Sequence, residues 1–88
     1  MNGILIDMLA YMFRHNIIGA KHLPESLLLK SKLKNANKFL QKEFYHDYKI
    51  LVNQEYFIRL KKQTGKGSEY HISLNPEMLE EICLIIRG

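Results

Sequence analysis

The stretch Asn35–Asn53, NANKFLQKEFYHDYKILVN, decides how the rest of the chain is read. At about 100° per residue, Leu40, Phe44 and Leu51 fall within roughly 40° of one another, while Lys38, Lys42, Tyr45 and Lys49 form a stripe nearly opposite. The spacing predicts a long amphipathic helix with one face for a core and the other for an anionic partner. Asn35 or Asn37 can cap its start, and the pattern ends near Asn53. Just beyond, Tyr56–Lys61 and Glu69–Leu74 alternate as half-buried strands do. The alternation puts Tyr56, Ile58, Leu60, Tyr70, Ile72 and Leu74 inside and Phe57, Arg59, Lys61, His71 and Ser73 outside. Between the strands, KQTGKGS carries Gly65 and Gly67, which permit positive φ at a hairpin tip. Arg59, Lys61, Lys62 and Lys66 make this hairpin a second basic feature.

Upstream, Asn2 to about Arg14 reads as a first helix whose apolar residues leave hardly any polar surface except Asp7. A helix apolar nearly all round must be covered on more than one side, and in so small a chain a second subunit is the expected cover. Ile17 and Ile18 before Gly19 read as a very short strand. Pro24 and Glu25 suit the first turn of a second helix running to about Ser31, with Leu27, Leu28 and Leu29 in the core. A turn over Lys32–Asn35 separates it from the long helix; one continuous helix from Pro24 to Asn53 is the alternative. Downstream, Asn75, Pro76 and Glu77 open a last helix through Ile86, again with more apolar residues than one face needs. The two terminal helices together predict a homodimer joined through them.

Eighty-eight residues make one domain, 1–88, and 47% hydrophobic with 25% charged residues is the balance of a folded globule. Thirteen Lys and Arg against nine Asp and Glu, net +4, favour an acidic partner such as nucleic acid. The lone Cys83 excludes an internal disulfide and a Cys-based zinc finger and fits a reducing, cytoplasmic setting. The opening NGILIDMLAYMF lacks a basic start, carries Asp7 and is too short to span a bilayer, so neither signal peptide nor membrane anchor is expected.

No phosphate-cradling loop or dinucleotide pattern is present; GKG is too short for one. His15, His22, His46 and His71 have no ligand spacing, so no metal, cofactor or small-molecule ligand is expected. Asp47 lies near the core-facing arc of the long helix and needs a partner. A local ion pair suffices, and an acid-base role with His46 or His71 has no support, so no enzyme is expected. The lysine stripe alone would also fit a solvated helix face. Its coincidence with a basic hairpin favours nucleic acid.

The order helix, short strand, helix, turn, helix, two-stranded hairpin, helix resembles the winged-helix (winged helix-turn-helix) superfamily over almost the whole chain. ILVNQEYFIRL is similar to the passage from that family's third helix into its second strand. IIGAKH and YHISLNP resemble stretches of small archaeal winged-helix proteins. Glu55 departs from the family, which often has Gly at this turn. The resemblance implies an α+β fold of order α-β-α-α-β-β-α, with a three-helix core and a β-hairpin wing. It implies double-stranded DNA binding by a small dimeric transcriptional regulator, with the third helix in the major groove and the wing on the backbone or minor groove. By position, Lys38, Lys42, Tyr45 and Lys49 would face DNA, flanked by Gln41 and His46, with Gln41 the expected reader of an adenine edge. Arg59, Lys61, Lys62 and Lys66 would serve the wing. The competing reading is a winged-helix module that binds protein within a larger complex. RNA is a weaker third, because the exposed aromatics form no stacking platform.

Overall fold

Three asparagines each start a helical segment of the computed structural model, which describes residues 1–88. Asn2 Oδ1 accepts the Leu5 N–H at 3.1 Å, Asn37 Oδ1 that of Leu40 at 2.9 Å, and Asn75 Oδ1 that of Glu77 at 3.1 Å. Each satisfies a donor that the first turn of a helix cannot. They open α1 (Gly3–Arg14), α3 (Lys38–Asn53), and a 3₁₀ turn (Pro76–Met78) that runs into α4 (Leu79–Arg87). The remaining elements are β1 (Leu23–Pro24), α2 (Glu25–Leu33), β2 (Phe57–Thr64) and β3 (Gly67–Leu74).

Helices α1 and α3 end alike. The N–H of Asn16 reaches Phe13 O and that of Ile17 reaches Met12 O; Glu55 N–H reaches Val52 O and Tyr56 N–H reaches Leu51 O. These are paired Schellman bonds, which require the residue after the cap to be left-handed. Asn16 (φ 58°) and Glu55 (φ 63°) occupy those positions. The turn position where Gly is the more usual residue is therefore left-handed here, although Glu55 fills it. Asn75 steadies that turn by donating from Nδ2 to Glu55 O at 2.8 Å.

The strands form one antiparallel sheet in the order β1-β3-β2. Helices α1 and α2 pack on β3, α3 packs on β2, and α1 also touches α2, α3 and α4. This central seat explains the apolar composition of α1. Leu5, Met8, Leu9 and Met12 are fully buried within the one chain, so a second subunit is not needed to cover them. They meet Phe44, Tyr48 and Leu51 of α3, Leu28 and Leu33 of α2, Phe57, Ile72 and Leu74 of the hairpin, and Ile82 of α4.

Several expectations change. The paired segment of the upstream strand is Leu23–Pro24; Ile18 makes only an isolated bridge to Leu74, because Gly19 (φ 60°) turns the chain away. Pro24 ends that strand and caps α2, which begins at Glu25. Leu27 points outward, 64% exposed, whereas Leu33 completes the core. Leu40 is on the margin of the α3 core face, its place taken by Tyr48.

The phase of β2 is reversed. Phe57 pairs with Leu74 and Arg59 with Ile72, so the odd residues of β2 share the core-facing side with the even residues of β3. The Schellman turn at Glu55 delivers Phe57 against Tyr48, ring centroids 5.3 Å apart. Ile58 and Leu60 lie on the other side, opposite Ser73 and His71, while Tyr56, just ahead of the strand, is half-buried against the core as expected. Ser73, expected outside, is fully buried and donates to Gly19 O at 2.8 Å.

Candidate nucleic-acid interface

Anchoring Phe44, Tyr48 and Leu51 in the core turns the opposite face of α3 to solvent. Lys38, Lys42, Tyr45, His46 and Lys49 are all exposed there. No lysine of the chain forms an ion pair; the three close pairs are His46 with Asp47, Arg59 with Glu25 and His71 with Glu69. The ammonium groups of α3 are thus uncompensated within the chain.

Gln41 sits at the edge of this face. Its Nε2 donates to Ala36 O at 2.9 Å, tying the α2–α3 turn to the first turn of α3. The amide that could read an adenine is engaged as a clamp. Beside it a groove of about 630 Å³ runs between α2 and α3, bordered by Lys30, Lys34, Gln41 and Tyr45. Lys30 and Lys34 are exposed functional candidates that the helix-by-helix reading missed. Their four-residue spacing in LKSKLK was the available signal, since it puts both on one helical edge.

A knot of charged and aromatic groups locks the hairpin to the helices. Glu25, at the start of α2, accepts bonds from Arg59 Nε and Nη2, both at 2.9 Å, and from the Tyr48 hydroxyl. The guanidinium also lies 4.2 Å from the centre of the Tyr70 ring. Burial, reinforced by the Glu25 carboxylate, pushes the Tyr48 hydroxyl well above its usual pKa. The hydrogen bonds to Glu25 raise that of Arg59, so it is a permanent cation spent on an internal partner.

The other hairpin cations separate. Lys61 pairs with Tyr70 on the Arg59 side of the sheet, whereas Lys62 pairs with Glu69 on the reverse side, and Lys66 lies in the tip turn. On that reverse side His22 Nδ1 and His71 Nδ1 are 2.9 Å apart, and His71 Nε2 meets Glu69 Oε1 at 3.0 Å. Desolvation, then Lys62 and His71, lower the pKa of His22. No cluster of three or more His, Cys, Asp or Glu is placed to hold a metal ion.

The opposite edge of α3 is fixed by Asn2, which sequence patterning did not single out beyond the start of α1. Its backbone N–H donates to Asp47 Oδ2 and its Nδ2 to Glu43 Oε1, both at 2.8 Å. The Asn2 bond foremost, then His46, holds the Asp47 carboxyl below its ordinary pKa. This is the partner that Asp47 required. Both edges of α3 are therefore pinned, by Asn2 on one side and the Glu25 knot on the other, while its cationic face stays open. No helix is long and apolar enough to cross a membrane. Comparison with family models, curated proteins and solved structures finds no match to this chain.

Proposed function

We propose that this chain is a winged-helix protein that binds double-stranded DNA, with α3 in the major groove and the β2–β3 hairpin as wing. The observation that carries the reading is the unpaired lysine stripe Lys38, Lys42 and Lys49 on a helix whose two edges are pinned. Rigid, uncompensated cations at helical spacing suit phosphates flanking a groove, and their neutralisation releases counterions. Tyr45, Lys30 and Lys34 extend that surface, with Lys61 and Lys66 supplied by the wing. Arg59 and Gln41 act by position, holding wing and turn. The simplest role is a small transcriptional regulator.

The test is a duplex titration at several salt concentrations. Affinity should fall steeply with salt, and the Lys38→Ala, Lys42→Ala, Lys49→Ala triple variant should flatten the log–log slope by about 2.7, at about 0.9 per phosphate. No binding at low salt, or binding indifferent to salt, refutes the reading.

A homodimer remains part of the proposal on narrower ground. Because α1 is covered within the chain, the exposed large apolar side chains left on the two terminal helices are Phe13, 40% exposed, on α1 and Leu84, 62% exposed, on α4. Sedimentation at micromolar concentration should give about twice 10.4 kDa, and a clean monomer removes the dimer. A protein-binding module is the second reading, favoured by the exposure of Leu27 and Leu84; it gains if the salt titration finds no duplex binding.

A further inference from the structure

On α3 the residues pointing most directly away from the core are not the lysines alone. With about 100° between residues, Phe39, Lys42, His46 and Asn53 lie within about 35° of the direction opposite Phe44, Tyr48 and Leu51. Exposure agrees: Phe39 is 71% exposed, the most of any large apolar residue here, and the His46 side chain is 75% exposed. Phe39 is not a core residue that failed to fit, because the core face beside it is completed by Leu33, Phe44 and Tyr48. Nor is it on the terminal helices through which a dimer is proposed, since it belongs to α3. A free phenyl ring about 60° round the helix from Lys42, on the Glu43 side, is apolar surface beside the cations that would bring a polyanion.

Gln41 lies about 125° from that outward direction, is half-buried and is tied by Nε2 to Ala36 O, so it does not project from the middle of this face. Another side chain must then distinguish bases if this face reads sequence. Of the groups that a major groove presents, a phenyl ring suits one: the 5-methyl of thymine, which is apolar and projects from the base edge. We infer that Phe39 is a specificity-determining residue whose ring packs on a thymine methyl, with Lys38 and Lys42 on the flanking phosphates. The inference rests on the DNA-binding reading above and names what that helix recognises.

The test compares a duplex enriched from a random pool by the protein with the same duplex carrying uracil for thymine, which removes only the methyl groups. Wild-type protein should bind the uracil duplex about fourfold more weakly for each methyl contacted, the fold-change for one apolar carbon returned to water. Phe39→Ala should bind both duplexes equally and keep the wild-type salt slope, because no charge is lost. Lys42→Ala should lower the slope and keep the preference for thymine. Circular dichroism of Phe39→Ala should match wild type, as so exposed a ring holds little of the fold.

Salt-dependent binding with no thymine preference, or a preference that survives in Phe39→Ala, overturns the inference while leaving DNA binding intact. Absence of duplex binding at low salt removes both.

Discussion

Replacing Glu25 by Ala should unfasten three elements at once. Tyr48 is 6% exposed, so its hydroxyl would lose a charged acceptor in a site with little water, a loss of about 1.5–2 kcal/mol. Arg59 would lose a bidentate partner, but its side chain is a third exposed, and water screens that pair to about 0.5–1 kcal/mol. The sum, about 2–3 kcal/mol, corresponds to a fall in Tm of about 10–15 °C at about 5 °C per kcal/mol for a domain of this size. Thermal unfolding followed by circular dichroism reads the shift, and urea titration gives the free energy. Tyr48→Phe removes the hydroxyl that Glu25 serves, so Glu25→Ala in that background should cost less than in wild type, by about 1 kcal/mol or more. Additive single losses, or a Glu25→Ala protein within about 0.5 kcal/mol of wild type, would refute the coupling between α2, α3 and β2.

Glu55→Gly should stabilise the chain by about 1 kcal/mol, because a left-handed residue with a Cβ costs about 1–2 kcal/mol and glycine returns part of this as unfolded-state entropy. Urea unfolding checks it, and a destabilised variant would mean that the Glu55 side chain contributes more than its backbone costs. The pH dependence follows from His22. Its folded pKa lies below 6.5, so the unfolded chain binds more protons between the two values; stability is present above about 6.5 and is lost as pH falls through the folded value. His22→Gln should flatten that part of the stability profile, and an unchanged slope would refute the assignment to His22.

The elements were legible because their signals are local. Asn37 caps α3, the α2–α3 break lies where Leu33 and Ala36 close a turn, and the hairpin turns over Gly65 and Lys66. The phase of β2 was not legible in the same way. Tyr56, Ile58 and Leu60 outnumber Phe57 on a simple alternation, yet the strand enters from a left-handed residue, Glu55, whose side chain does not advertise that geometry. Nor could the sequence say which cations were free. Arg59 and Glu25 are 34 positions apart, and Asn2 reaches Glu43 and Asp47 across 41 and 45. Partners so remote are set by packing, which local patterning does not contain.

That difference moves the centre of the proposed interface. Sequence alone gives three basic residues to α3 and four to the hairpin, with Arg59 and Lys62 as half of the wing's share. Arg59 is spent on Glu25, and Lys62 lies on the reverse side of the sheet beside Glu69 and His22. Lys30 of α2 and Lys34, which caps that helix, instead line the groove with Tyr45. Each free lysine near a phosphate adds about 0.9 to the salt slope, whereas a cation already paired releases no counterion of its own. Lys30→Ala and Lys34→Ala should therefore lower the salt slope of duplex binding more than Arg59→Met or Lys62→Ala. Arg59→Met should instead act through a loosened wing, at unchanged slope, and a large slope change in that variant would restore Arg59 to the contact surface.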